Sequence, residues 1–214
     1  MLKFDTQSPI TATVEVASAE VTVIASDRTD AVVHIHPADP AKKADVRAAE
    51  QTQVDFTAGV LTVKTLKTWR TKTAFGGNPS IQVTVEVPTG SALKATAGVG
   101  RLIGLGALGE SDLEVSAGDI YVERPVGSVT ATVAKGDIRI GEATRGILRL
   151  ETSVGELEVG IRPGSAARVE TNVAQGAVHN HIAPADRSPN ASDTVQVYAR
   201  NTLGNIIIGH SVAA

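Results

Sequence analysis

Three carboxylates recur at an almost constant spacing in the second half of the chain. Asp119, Asp137 and Glu156 each follow a glycine that separates two alternating apolar runs, and Asn205 has the same setting near the end. If such units stack about 4.8 Å apart, neighbouring carboxylates repel by roughly 1 kcal/mol in water, and Ca²⁺, which prefers oxygen ligands, would relieve this repulsion. The chain lacks the GGxGxD nonapeptide repeat of calcium-binding β-rolls. We therefore favour a simpler role, in which each side chain caps its own turn.

Two pairs of histidines have a spacing that suits metal binding. His34 and His36 form one pair, and His179 and His181 form the other. Residues i and i+2 of a strand share a face, so each pair would present two imidazoles to zinc or nickel. The apolar neighbours of these histidines form the inward-facing set, which directs the imidazoles to solvent. We therefore predict exposed strand histidines, with a metal site as the alternative.

The segment from residue 64 to residue 80 combines basic and aromatic side chains. It has four positive charges, no acid and the only tryptophan of the chain. Such a combination can hold phosphates, stack on bases or anchor at a membrane surface, so a regulator that docks nucleic acid or a membrane is one alternative. Four charges release few counterions, and we instead favour a long hairpin loop, which is also where we expect any surface that contacts a protein partner. The residues predicted to bind that partner are Lys67, Trp69, Arg70, Lys72 and Phe75.

No catalytic motif accompanies these residues. The chain has no cysteine, and it contains no G-x-S-x-G elbow, no phosphate-binding P-loop and no H-E-x-x-H zinc motif. We therefore predict no catalytic residue, no cofactor and no enzymatic activity. The alternative is a carbohydrate-active or metal-dependent enzyme that uses a long face of the fold as its cleft. Carboxylates or histidines that converge in a groove would identify such an enzyme.

The positions of all these candidates depend on a repeat in the apolar residues. In one unit Leu113 and Val115 are odd-numbered, whereas Ile120 and Val122 are even-numbered. Because successive strand side chains alternate between faces, the chain must turn between the two runs for both sets to face inward. Glycine allows the backbone angles of such a corner. Glycines recur at these corners as Gly100, Gly118, Gly136, Gly155, Gly176 and Gly204.

Two short strands and two corners make one coil, and a coil of this kind cannot bury its apolar face alone. The repeat therefore predicts an all-β fold, a flattened parallel β-solenoid that is right-handed by the usual crossover rule. The strands before residue 90 alternate less regularly. They surround one helical candidate, Ala41–Glu50, which follows an Asp-Pro start signal.

The chain is predicted to form a single all-β domain over residues 1–214. Residues 1–90 are irregular N-terminal strands, residues 91–182 are regular coils, residues 183–193 are a polar surface loop and residues 194–211 are the closing coil. The net charge of −3 gives no general attraction to nucleic acid or anionic lipid. No apolar run resembles a signal peptide or reaches the ~18 residues of a membrane span, so we expect a cytoplasmic protein.

Two motifs of the chain resemble a known family. Val85–Gly90 reads VEVPTG and Ser116–Val122 reads SAGDIYV, which are similar to the V-x-V-P-x-G and T-x-S-G-D-V-x-V patterns of the DUF4097 family. Members of this family are β-strand-repeat proteins that are often labelled adhesins. The resemblance covers roughly residues 10–210, and it implies a β-solenoid fold in a bacterial protein without implying catalytic residues.

The predicted function is that of a non-enzymatic scaffold or protein-interaction module. The outward positions carry mixed polar and charged residues, such as Thr130, Thr132, Arg149 and Glu151, which suit contacts with an unknown protein partner. The terminal coils of a solenoid expose unpaired strand edges, so self-association through these ends is a further expectation.

Overall fold

The computed structural model describes residues 1–65, 79–182 and 194–211. In this part of the chain the regular structure is almost entirely β-strand, with one helix, α1 (Lys43–Gln51). The N-terminal strands are β1 (Leu2–Asp5), β2 (Thr11–Ser26), β3 (Asp30–Pro37), β4 (Gln53–Thr57), β5 (Val60–Lys64), β6 (Ile81–Pro88) and β7 (Ala92–Leu108). The later strands are β8 (Ser111–Ala117), β9 (Ile120–Pro125), β10 (Val129–Lys135), β11 (Ile138–Ala143), β12 (Gly146–Val154), β13 (Leu157–Ile161), β14 (Ala166–Gln175), β15 (Val178–Asn180), β16 (Thr194–Leu203) and β17 (Ile206–His210).

Each regular coil consists of two strands on opposite faces of a flattened solenoid. β8 leads through a corner into β9, β10 into β11 and β12 into β13. β8, β10 and β12 pair in parallel on one face, which we call the first face. β9, β11 and β13 pair in parallel on the other, which we call the second face. The predicted all-β parallel solenoid is therefore confirmed.

The predicted corner glycines lie one above another. All six have φ between +132° and +152°, a region that glycine enters without steric cost. A Cβ placed on Gly118 would lie 1.7 Å from the carbonyl oxygen of Gly100, and one placed on Gly136 would lie 1.9 Å from that of Gly118. The coils therefore approach each other at this corner more closely than any side chain allows.

The apolar residues on both sides of each corner face the interior, as their alternation predicts. Leu113 and Val115 are buried on the first face, and Ile120 and Val122 are buried on the second. The same arrangement recurs in the neighbouring coils, so the side chains form one continuous apolar core. Because each coil is closed only by the coils above and below it, the stability of one coil depends on its neighbours.

The order of the coils in the stack differs from their order in the sequence. β16 pairs in parallel with β12 on one side and with β14 on the other, and β17 lies in the same way between β13 and β15. The prediction that residues 194–211 form the closing coil is therefore corrected, because among the described residues the outermost coil is the one formed by β14 and β15. This order buries the more apolar coil: Val197 and Ile208 are fully buried, whereas Val178 of the outer coil is 44% exposed.

Antiparallel strands cover the other end of the stack. β2 pairs with β7 on its inner side and with β5 and β6 on its outer side. β4 then pairs with β5, β3 with β6 and β1 with β3, all antiparallel. The helix α1 begins within two residues of the predicted start at Ala41. Its buried Asp45 accepts hydrogen bonds from the backbone N–H groups of Asp39 and Ser80, at 3.2 Å and 3.0 Å. None of the described helical structure is long and apolar enough to cross a membrane.

A network of charged side chains joins the strands at this covered end. Arg28 donates hydrogen bonds to Asp30 and to Glu86, and Lys3 Nζ lies 3.0 Å from Asp30 Oδ2. The hydrogen bond from Arg28, followed by that from Lys3, holds the pKa of Asp30 below its usual range. The hydrogen bond to Asp30 raises the pKa of Arg28 further. Because the pKa of Asp30 is lowered in the folded chain, this network stabilises the end above the ordinary aspartate pKa, and its contribution falls as the pH drops through the lowered value.

Candidate binding groove

The corner carboxylates make hydrogen bonds between coils. Asp119 Oδ1 accepts the backbone N–H of Asp137 at 3.1 Å, and Asp137 Oδ1 accepts that of Glu156 at 2.7 Å. Asn205 Oδ1 accepts the N–H of Ala177 at 3.1 Å in the same way. Each of these oxygens therefore caps the neighbouring coil, and not its own turn as the sequence suggested. The described residues contain no group of three or more histidine, cysteine, aspartate or glutamate side chains that could hold a metal ion. The corner carboxylates therefore do not form a calcium site among these residues.

The two histidine pairs lie at opposite ends of the solenoid. His34 and His36 are on β3 at the covered end, whereas His179 and His181 are at β15 in the outermost coil. In each pair the ring centroids are 6.4 Å apart and the rings are close to parallel. His34 Nε2 lies 3.9 Å from Glu86 Oε1. The structure thus places the imidazoles of each pair on one face, as predicted, but it does not bring the two pairs together.

The predicted partner-binding residues lie outside the described part of the chain. These residues are Lys67, Trp69, Arg70, Lys72 and Phe75, and the predicted loop at residues 183–193 also lies outside it. The described residues that flank the basic segment are attached to the fold: the N–H of Thr65 donates to the carbonyl of Glu15, and the N–H of Ser80 donates to Asp45.

The first face carries a groove that the sequence did not reveal. It has a volume of about 520 Å³ and is lined by outward side chains of β10, β12, β16 and β14. Two rows of side chains cross these four strands at right angles to them. The first row is Thr130, Arg149, Tyr198 and Glu170, and the second is Thr132, Glu151, Arg200 and Asn172.

The arginines of the groove have no ion-pair partner among the described residues. The Arg149 guanidinium instead lies over the ring of Tyr198, 5.7 Å from its centroid, where the face of the ring attracts a cation. Glu170 is already paired, because its Oε1 lies 3.0 Å from Arg168 Nη2. Elsewhere on the first face charges are matched across strands, as in Lys94 and Asp112, whose Nζ and Oδ2 atoms are 3.7 Å apart. The groove therefore contains two arginines, Arg149 and Arg200, that form no ion pair among the described residues, although Glu151 lies opposite Arg200 on the neighbouring strand.

The unexpected order of the coils creates this arrangement. Arg149 and Glu170 both lie opposite Tyr198, one on each side. In a stack that followed the sequence, Arg149 would lie directly opposite Glu170, where opposite charges on neighbouring strands attract each other. The insertion of β16 separates these two charges and places an aromatic ring between them. The alternation in β12 and β16 identifies Arg149, Tyr198 and Arg200 as outward-facing, but only the order of the coils brings them into one groove.

The comparisons with known proteins do not assign a family. No protein-family model and no curated protein matches the chain. Among solved structures, the chain is similar to a "putative cell adhesion protein" from Clostridium sporogenes, with 10% identity over 98% of each chain and a TM-score of 0.49. It is also similar to a "putative lipid binding protein" from Parabacteroides distasonis, with 9% identity, 99% and 94% coverage and a TM-score of 0.32. A "putative adhesin" from Bacteroides fragilis matches with 9% identity, 97% and 95% coverage and a TM-score of 0.31.

Proposed function

We propose that this chain is a non-enzymatic binding module that holds a protein segment in the groove of the first face. The observation that carries the proposal is that Arg149 and Arg200 line the groove without forming an ion pair to any described carboxylate. An unpaired guanidinium on a rigid sheet is already positioned to bind a carboxylate with two hydrogen bonds. The mixed polar lining supplies further hydrogen-bonding groups, such as the hydroxyls of Thr130 and Thr132.

The spacing of the two arginines fits an acidic segment in an extended conformation. Arg149 and Arg200 lie on adjacent strands and are offset by two residues, which corresponds to a diagonal separation of roughly 7–8 Å. Acidic residues at positions i and i+2 of an extended chain are about 6.6 Å apart on one side. Tyr198 lies beside Arg149 in the first row, two residues before Arg200 on the same strand, and offers an apolar surface to a side chain of the bound segment. The ligand that this groove fits best therefore contains an acid-x-acid sequence.

The geometry favours binding over catalysis. The two carboxylates of the groove, Glu151 and Glu170, lie in different rows with β16 between their strands, and no histidine lines the groove. Glycoside hydrolysis needs two carboxyl groups that face each other across one bond. The groove offers no such pair, which supports the proposed non-enzymatic module over the enzyme alternative. Membership in the DUF4097 family is part of the same proposal, supported by the repeated corner motif of Ser116–Val122.

Replacing the two arginines tests the proposed function. We expect the wild-type chain to bind a labelled peptide with two Glu-x-Glu units and to ignore its Lys-x-Lys counterpart, as measured by fluorescence anisotropy at low salt. The double variant R149A/R200A should weaken binding at least tenfold, because each charge-assisted hydrogen bond contributes about 1.5–3 kcal/mol. Lys94→Ala is the matched control, since its charge is already compensated by Asp112, and it should bind like the wild type. Equal affinity of the double variant and the wild type would refute the proposal.

A further inference from the structure

The two ends of the solenoid differ in how they are covered. At one end, antiparallel strands and α1 lie over the stack. At the other end, β14 pairs only with β16 and β15 only with β17 among the described residues. The inward side chains of β14, such as Val169 and Val173, are therefore only half-buried. A strand edge that has no partner among the described residues, above a partly exposed core, is a site for pairing with another strand.

The backbone of β14 determines which residues would pair at this edge. On the first face, the buried Leu93 donates its N–H to the carbonyl of Glu110 in the next coil of the stack, so inward-facing residues direct their backbone polar groups to the following coil. Val169 is an inward-facing residue of β14, and its N–H and C=O groups are therefore directed to the open edge. Because backbone polar groups alternate between the two sides of a strand, those of Arg168 and Glu170 are directed at β16.

We propose that two copies of the chain associate tail to tail through an antiparallel pairing of their β14 strands, centred on Val169. In this register Val169 lies opposite Val169 of the second copy, and the two residues exchange backbone hydrogen bonds. Arg168 of one copy lies opposite Glu170 of the second in the non-hydrogen-bonded position, where side chains approach most closely. Each interface thus contains two cross-strand ion pairs and an apolar contact related by a two-fold axis.

The sequence of β14 favours a second copy over an unrelated strand. The order Arg168–Val169–Glu170 is self-complementary when it is read antiparallel, as a two-fold interface requires. A shift of the centre by one residue would place Glu170 opposite Glu170, and like charges directly opposite are destabilising. The register centred on Val169 is therefore favoured by charge.

The dimer would also extend the groove. Glu170 and Asn172 of β14 line the side of the groove nearest the open edge, so the pairing of two β14 strands would join the two grooves across the two-fold axis. The association itself does not depend on the proposed function, because it uses the edge of β14 and not Arg149 or Arg200. A ligand bound by one chain would then meet an equivalent site, in the opposite orientation, on the second.

Two charge reversals test the pairing by sedimentation velocity on the full chain. The wild type should show the mass of two chains, with a monomer–dimer equilibrium that depends on concentration. Arg168→Glu and Glu170→Arg each place like charges opposite one another, and each should weaken dimerisation by roughly 10- to 50-fold. An equimolar mixture of the two variants should dimerise like the wild type, because every cross-strand pair is again of opposite charge.

The equimolar mixture of the two variants shows whether weaker dimerisation comes from the loss of the ion pair within each chain. Each reversal also removes the ion pair between Arg168 and Glu170 within one chain, and mixing two chains cannot restore that pair. Circular dichroism and thermal melting of each variant verify that it is folded. A wild type that stays monomeric at millimolar concentration, single variants that dimerise like the wild type, or a mixture that stays monomeric would each overturn the proposal.

Discussion

Replacing Gly136 with valine is expected to unfold the solenoid or to remove most of its stability. The residue has φ of +142°, and a Cβ at this position would lie 1.9 Å from the carbonyl oxygen of Gly118 and 2.6 Å from its carbonyl carbon. Both contacts are to backbone, so no side-chain rotation relieves them. Gly118 has the same contact with Gly100, and a displacement would therefore pass along the stack. We expect a loss of more than about 4 kcal/mol in the free energy of unfolding, measured by urea titration with far-ultraviolet circular dichroism.

Gly59→Ala provides the control for this variant. Gly59 also has a positive φ, +77°, but a Cβ placed on it would meet no atom within 4 Å. The substitution therefore adds only the backbone cost of a left-handed conformation, about 1–2 kcal/mol. If Gly136→Val were no more destabilising than Gly59→Ala, that result would contradict the close contact between the coils at this corner.

Ending the chain after residue 193 is expected to disorder two coils and not one. The truncation removes β16 and β17, which lie between β12–β13 and β14–β15. β14 and β15 then lose every strand partner that they have among the described residues, so their amides should exchange at the rate of an unfolded segment. Hydrogen–deuterium exchange should show this loss over residues 166–182, together with a lower midpoint of thermal unfolding.

A second truncation separates this effect from the loss of the chain end. Removing only residues 212–214 leaves β16 and β17 intact and should leave the exchange of residues 166–182 unchanged. A stack that followed the sequence would keep β14 and β15 paired with β12 and β13 after the longer truncation. Full protection of residues 166–182 in that variant would therefore contradict the observed order of the coils.

The repeat was predictable because local chemistry determines it. The change from odd-numbered to even-numbered apolar positions, as between Val115 and Ile120, requires a corner, and only glycine adopts the observed corner geometry without strain. The helix near residues 41–50 was also predictable, since an Asp-Pro signal precedes it. The exact roles of Asp119 and Asp137 were not, because the alternation cannot tell a cap on the same turn from a cap on the next coil.

The order of the coils could not be predicted from the repeat. β14 and β16 have similar lengths and the same alternation, so either one could lie against β12. What decides between them is the difference in apolar volume: β17 contributes three isoleucines to its coil, whereas β15 contributes a single valine. This difference matters only when the whole stack is considered, because the less apolar coil loses least by lying at the exposed end. The groove depends on that order of coils, and it could therefore not be predicted from the sequence.

The most direct test of this order uses cysteine cross-linking at the exposed corner. Val154 and Leu203 lie opposite each other on adjacent strands and are 42% and 47% exposed, while Gln175 lies on the far side of Leu203. The chain has no native cysteine, so a thiol reagent that spans about 5 Å reacts only with the introduced pairs. We predict rapid intramolecular cross-linking in V154C/L203C and none in V154C/Q175C, where the strands are about 10 Å apart. Cross-linking of V154C/Q175C in place of V154C/L203C would show that the coils follow the sequence, and the groove as described would not exist.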